Sequence, residues 1–247
     1  MPYKLIYSIG KNRRSLRSWL TEYYNVDLNT LDIEALHASM FSCYILLLAL
    51  TIIIGYLKFF SLSNPYKYLV ALVTFIFIAE IIGKIYAFNA GTNFPIYNII
   101  LLLQFCLYPL IFKNIIINQK VKYMIIGAGI TLGLFFLFNC KNFITFPSKG
   151  IMALSIYIIF SSLVVLYQML QNPSILSPVH HPDFWFATAN IIFFSTTFLF
   201  FGVLNHILRI GQSLPEWGYY IIWIANMVFY SLYLVTILAN AGRGTSR

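Results

Sequence analysis

The chain has 247 residues, of which 60% are hydrophobic, 18% aromatic and only 9% charged, and its mean hydropathy is +0.79. A soluble domain carries about 25% charged residues and cannot bury this much apolar surface. The composition therefore excludes a water-soluble globule, a disordered chain and a disulfide-rich secreted module, and it leaves a polytopic membrane protein. The net charge of +9 does not indicate nucleic-acid binding, because the cations lie mostly at the ends of apolar runs, where they anchor helices at anionic lipid surfaces.

Residues 1–37 differ from the rest of the chain. The stretch RRSLRSWLTEYYNV places Leu16, Trp19, Leu20 and Tyr23 at helical spacing after a cluster of positive charges. This pattern predicts a short amphipathic helix that lies on the membrane surface. We expect no cleavable signal peptide, because no apolar run in this segment is long enough to form its hydrophobic region.

Seven apolar runs follow, each close to the ~20 residues that cross a hydrocarbon core as a helix. They cover residues 38–57, 68–88, 96–112, 122–139, 151–170, 184–208 and 217–238, and a short polar tail, 239–247, follows them. The runs are apolar all round and longer than the ~10-residue alternating strands of a membrane barrel. The sequence therefore predicts an all-α protein, a bundle of seven transmembrane helices covering 38–238.

Helix-breaking residues separate these runs. Breaks are expected at Asn64-Pro65, between Gly91 and Pro95, from Pro147 to Gly150, and at Pro173, Pro178 and Pro182. Gly129 and Gly133 form a GxxxG pattern that is typical of a close helix crossing. Many transporters are built from inverted repeats. We see no internal repeat in this chain, which weakens an interpretation of it as such a transporter.

The side of the membrane that holds the C-terminus carries more cations near span ends. That side has Lys58, Lys67, Lys113, Lys120, Lys122, Arg243 and Arg247, whereas the other has Lys141, Lys149 and Arg209. The positive-inside rule then favours an outside N-terminus and a cytoplasmic C-terminus. The two sides nearly tie if Lys4, Lys11, Arg13, Arg14 and Arg17 are included.

Two charged residues fall within the second run. Glu80 precedes Lys84 by one helical turn, the favourable order for an ion pair on one helix. Charges inside a membrane are costly and indicate a functional site by default. The alternative is that the two residues only neutralise each other.

Further polar residues recur at matched depths. Glu80, Gln104 and Asn226 each lie about 12–14 Å from the N-terminal side of the membrane, given a helical rise of ~1.5 Å per residue. Lys84, Asn98, Asn205 and His206 form a shallower layer on the same side. These layers predict a ligand-binding pocket that opens toward that side. They are equally compatible with interhelical hydrogen bonds, worth about 0.6 kcal/mol each.

No motif supports catalysis, a metal site or a cofactor. His180, His181 and Asp183 resemble metal ligands, but the helix from Trp185 would carry His206 about 31 Å away from them. The nucleophile-elbow, zinc-protease and phosphate-loop motifs are missing from the sequence, and only one acid, Glu80, lies inside a span. We expect Ser195, Thr196 and Thr197 to bond to the helix backbone. Cys43, Cys106 and Cys140 lack CxxC spacing, and we expect them to be small buried side chains.

Three segments carry a resemblance to a known group. FIAEIIGKIYAFNAGTNFPIYNIILLLQF, HPDFWFATANIIFFSTTFLFFGVLN and WIANMVFYSLYLVTIL together resemble bacterial seven-helix membrane proteins that are similar to the membrane-embedded sensor portions of histidine kinases. The shared pattern is Glu80, Asn98 after a tyrosine, and Phe184-Trp185, over about residues 40–240. Gln104 departs from it, because the group implies an acid there.

The sequence therefore predicts a sensory or signal-transducing membrane module without its own output domain. The candidate ligand-binding residues are Glu80, Lys84, Asn98, Gln104, Asn205, His206 and Asn226. The alternative is a small-solute transporter or permease that uses the same polar layer. We favour a protein that is not an enzyme, needs no cofactor or metal and does not bind nucleic acid. The expected partners are membrane lipids and a separate histidine kinase or other membrane protein.

Overall fold

The computed structural model describes residues 33–139, 143, 146–172, 177–209 and 216–244. Side chains are described for the same residues except 33–38, 139, 204–209, 216–219 and 243–244. Most of the predicted interfacial segment 1–37 therefore lies outside the described residues, as do Cys140 and Pro173. Residues 33–37, which were assigned to that segment, belong to the first helix.

The described residues form seven long α-helices joined by short connections. These are α1 (Ile33–Leu57), α2 (Asn64–Ala90), α3 (Phe94–Ile115), α4 (Gln119–Asn139), α5 (Ser148–Gln171), α6 (Pro182–Arg209) and α7 (Glu216–Gly244). All seven contain a stretch that is long and apolar enough to cross a membrane. The predicted all-α seven-helix bundle is confirmed. Helix α7 continues beyond residue 238, so much of the expected polar tail is helical.

Proline and glycine set several helix ends. Pro65 and Pro95 lie in the first turns of α2 and α3, and Pro182 begins α6, because proline fits where no helical N–H bond is needed. Gly91 ends α2 with a left-handed φ of 72°, and its N–H donates to the Ala87 carbonyl at 2.9 Å. A residue with a Cβ would be strained there.

The helices pack as an antiparallel bundle in which α1 contacts α2 and α7, and α6 lies between α5 and α7. Helix α3 contacts α2, α4 and α5. Odd-numbered helices run from the end of the bundle where α1 begins, called here the N-terminal face, to the opposite end, called the C-terminal face. Aromatic rings dominate the interior, and those almost completely buried are Tyr66, Tyr108, Tyr233, Phe112, Phe186 and Phe229.

Helix α4 lies at the edge of the bundle, since 11% of its span is buried compared with 44% for α5. It packs closely on α3 through the GxxxG pattern. A Cβ at Gly129 would lie 2.5 Å from Cγ of Pro109, and one at Gly133 would lie 3.1 Å from Cβ of Phe105. The predicted close crossing is confirmed.

The expectation that the cysteines are buried is wrong for Cys43 and Cys106, which are both exposed on the bundle. In a membrane the outer surface faces lipid rather than water, so an apolar thiol is stable on either side of a helix. Thr196 and Thr197 donate to the Ile192 and Phe193 carbonyls at 2.9 and 2.8 Å, as predicted.

Candidate functional site

Glu80 is the point where three helices meet. Its half-buried carboxylate extends from α2, and Oε1 accepts a hydrogen bond from the Tyr44 hydroxyl of α1 at 3.2 Å. Oε2 accepts one from the Tyr97 hydroxyl of α3 at 3.4 Å. Both distances exceed the ~2.5–3.0 Å of ordinary hydroxyl hydrogen bonds, so the carboxylate is held loosely.

An aromatic cluster, defined as Phe41, Tyr44, Trp223 and Tyr230, lies beside this carboxylate. The Tyr44 ring is 5.5 Å from the Trp223 ring and 5.7 Å from the Tyr230 ring, measured between centroids. Phe41 meets Trp223 edge-on at 5.6 Å. Residues of α1 and α7 therefore line one side of the acid, and their ring faces carry partial negative charge.

Lys84 does not form the expected ion pair with Glu80 in the part of the chain that the structure describes. Its ammonium lies 4.2 Å from the centroid of the Phe41 ring instead, within the distance of a cation–π interaction. The side chain is exposed. The aromatic cluster therefore already accepts one cation at its edge.

Asn98 belongs to the same predicted pattern as Glu80, but its hydrogen bonds go to other partners. The side chain is buried, and its amide donates to the carbonyls of Phe94 at 2.9 Å and Phe143 at 3.0 Å. It thus ties the start of α3 to the connection after α4. The neighbouring residue Tyr97 is the one that reaches the carboxylate.

Of the other predicted residues, neither Gln104 nor Asn226 makes a described hydrogen bond to Glu80. Gln104 is half-buried about two turns further along α3 than Tyr97. The Asn226 amide donates to the Ile222 carbonyl of its own helix at 2.8 Å. Asn205 and His206 belong to α6, but their side chains lie outside the described residues. Among the described side chains, Glu80 and Lys84 are therefore one helical turn apart on α2 without an ion pair, and the two predicted layers stay a prediction.

A buried network that the sequence analysis missed lies deeper in the bundle. The hydroxyls of Tyr108 and Tyr233 are 3.0 Å apart, and Tyr233 donates to Oδ1 of Asn190 at 2.7 Å. The network links α3, α7 and α6 in the fully buried core. Asn190 lies within the predicted sixth run, but the run's uniform hydrophobicity does not reveal which face points inward.

A second set of polar contacts closes the C-terminal face. The Tyr66 hydroxyl donates to Asp183, and Nδ1 of His181 lies 3.4 Å from the same carboxylate. Nearby, Oδ1 of Asn240 accepts from the Ser63 N–H at 3.0 Å, and its amide donates to the Ser63 hydroxyl at 3.2 Å.

Neither this set nor the rest of the described chain brings three His, Cys, Asp or Glu side chains together as a metal site. His180, the third residue of the loop cluster, contacts the Ser177 hydroxyl at 2.8 Å.

A groove with a volume of about 390 Å³ lies on the outside of α1 and α2, near the C-terminal face. Its lining consists of Tyr56, Phe59, Asn64, Lys67, Tyr68 and Ala71. None of these is a predicted site residue.

Comparisons with family models, with curated proteins and with solved structures found no match. The resemblance to histidine-kinase sensor portions therefore stays a prediction. The fold defines the class: the chain is a multi-pass integral membrane protein with an all-α bundle of seven helices.

Proposed function

We propose that the protein is a sensory membrane module in which Glu80 is the ligand-sensing residue. The observation that carries this proposal is the carboxylate held loosely between hydroxyls from two other helices, at 3.2 and 3.4 Å. A ligand that takes over this carboxylate releases Tyr44 and Tyr97. The packing of α1, α2 and α3 then changes. The ligand-free and ligand-bound states therefore differ in their contacts, so binding can shift the population from one state to the other.

The interior beyond Glu80 favours sensing over passage of a solute. Phe193 stacks on Phe229, and Phe229 packs against Tyr233 in a tilted arrangement, with 4.2 Å between the ring centroids in each pair. Phe229 and Tyr233 are almost fully buried, and the Tyr108–Tyr233–Asn190 network adjoins them. A solute that crossed the bundle along this line would have to displace several tightly packed rings.

The chemistry of the site favours a small organic cation. Carboxylates and aromatic faces together recognise ammonium groups, and the Glu80 carboxylate lies beside the aromatic cluster through its contact with Tyr44. The Lys84 ammonium on the Phe41 ring is an internal example of the same contact.

Trp223 provides the test, because its ring lies within the aromatic cluster. In a variant with Trp19, Trp185 and Trp217 replaced by Phe, tetramethylammonium or propylammonium should change the Trp223 emission saturably. The uncharged control tert-butanol should not. Glu80→Gln should weaken the response at least tenfold. Equal responses to cation and control, or an unchanged response in Glu80→Gln, would contradict the proposal.

Measuring solute uptake across a membrane distinguishes the transporter alternative from a sensor. Proteoliposomes that take up labelled propylammonium in a Glu80-dependent way would indicate a permease, whereas a sensor binds without accumulation. We further propose that the response passes to a separate protein such as a histidine kinase. Deleting that partner should leave this protein folded and the cellular response silent.

The expected orientation, with the N-terminus outside in a bacterial inner membrane, can be tested at Lys84. In a variant without native cysteines, Lys84→Cys should react with a membrane-impermeant thiol reagent in intact cells. Reaction only after the cells are opened would reverse the orientation.

A further inference from the structure

The groove between α1 and α2 has the chemistry of an amphiphile site. One wall is aromatic, since Tyr56 and Phe59 stack with centroids 5.9 Å apart and planes at 21°. Tyr68 and Ala71 of α2 complete the lining. Tyr56, which is 52% exposed, presents its ring outward rather than into the core. The small side chain of Ala71 leaves space between the aromatic residues.

Positive charge is concentrated at one end of the groove. Lys67 is half-buried, and its ammonium lies 5.6 Å from the centroid of the Phe59 ring. Helix α2 begins beside it at Asn64 and has no acidic residue in its first turn. The start of a helix carries partial positive charge, so the ammonium and the helix both attract an anion.

The groove lies at the level where a bilayer changes from hydrocarbon to headgroups. Helix α1 ends at Leu57 and α2 begins at Asn64, so Lys67 and Asn64 are at the membrane boundary. Ala71 lies about one turn deeper. The groove thus runs from a cationic, polar end at the boundary to an apolar end within the hydrocarbon region.

We propose that this groove binds an anionic phospholipid from the surrounding leaflet. Its phosphate lies against Lys67 and the start of α2, and one acyl chain follows the wall formed by Tyr56 and Ala71. This site is about four turns along α2 from Glu80 and does not depend on the sensory role.

Native mass spectrometry of the purified protein tests the proposal. The protein is mixed with phosphatidylglycerol and phosphatidylcholine that carry identical acyl chains. We expect phosphatidylglycerol to be retained preferentially. Lys67→Gln should reduce that preference about fivefold, the effect of one lysine near an anionic lipid surface, and Lys67→Arg should keep it.

Lys113→Gln is the matched control, because Lys113 is exposed in the last turn of α3 at the same face. Ala71→Phe tests the shape of the groove and should weaken retention of the lipid without changing charge. The proposal is overturned if Lys67→Gln and Lys113→Gln behave alike, or if both lipids are retained equally. Displacement of the lipid by inorganic phosphate would also overturn it, because the acyl chain would then contribute nothing.

Discussion

At the C-terminal face, polar side chains of α6 and α7 bond directly to residues at the start of α2, whereas near the N-terminal face the contacts of Glu80 are longer and that of Asn226 stays within its own helix. Asn98 is the exception at that face, because its amide donates to the Phe143 carbonyl at 3.0 Å. Asn240 makes two hydrogen bonds to Ser63, at 3.0 and 3.2 Å. Glu80 is held at 3.2 and 3.4 Å, and Asn226 bonds to its own backbone. We therefore expect the C-terminal face to be the fixed end and the Glu80 region to be the end that can change.

The largest expected effect is at the fixed end. Asp183→Ala removes the acceptor of the Tyr66 hydroxyl, which is almost completely buried. A hydrogen bond to a charged group is worth up to about 3 kcal/mol, so its loss should lower the free energy of unfolding by about that amount. Unfolding in mixed detergent micelles measures this value.

Asn114→Ala is the control for Asp183→Ala, because the exposed Asn114 amide bonds to the Leu110 carbonyl of its own helix. If both variants lost the same free energy of unfolding, interhelical contacts at this face would contribute no more to stability than contacts within one helix.

The second-largest effect on stability is expected where α4 crosses α3, the helix that carries Tyr97 at one end and Tyr108 in its middle. Gly129→Ala places a Cβ 2.5 Å from Pro109 and 2.9 Å from the Tyr157 hydroxyl oxygen. Such overpacking should lower the free energy of unfolding by about 2 kcal/mol. Gly127→Ala is the matched control, because its Cβ meets no atom within 4 Å. A similar fall in the free energy of unfolding in both variants would show that the close crossing of α4 and α3 does not contribute to stability.

The sequence predicted the helices well and the site contacts poorly, and one physical cause explains both results. The length and hydropathy of an apolar run are sufficient to predict a membrane-spanning helix, because the thickness and apolar character of the hydrocarbon core set both values. Lipid is as apolar as the bundle interior, so hydrophobic periodicity does not distinguish the two faces of a helix. For that reason Cys43 was expected inside, and Tyr97 was overlooked beside Asn98. Tyr108 and Asn190 were missed in the same way.

An intermediate effect is expected in the middle of the bundle. Tyr233→Phe removes the hydroxyl that bridges Tyr108 and Asn190. The loss should be about 1 kcal/mol, within the range measured for polar contacts inside membranes. Tyr167→Phe is the control, because Tyr167 is 59% exposed. A larger loss than that of Asp183→Ala would make the middle, rather than the C-terminal face, the fixed part.

The smallest effect on stability is expected at Glu80. Glu80→Gln keeps an oxygen that can accept from Tyr44 or Tyr97, so the free energy of unfolding should fall by no more than about 0.6 kcal/mol. The response of Trp223 to tetramethylammonium should nevertheless weaken at least tenfold. Tyr97→Phe should also change stability little, because its contact of 3.4 Å is the longer of the two.

Stability and response together separate the two explanations for Glu80. A residue that only holds helices together would, when changed, lower stability as Asp183→Ala does, and the cation response would fall only as the folded fraction falls. A sensing residue would lose the response while the protein stays folded. A Glu80→Gln variant as unstable as Asp183→Ala would contradict the expected difference between the two ends, and with it the sensory role proposed for this carboxylate.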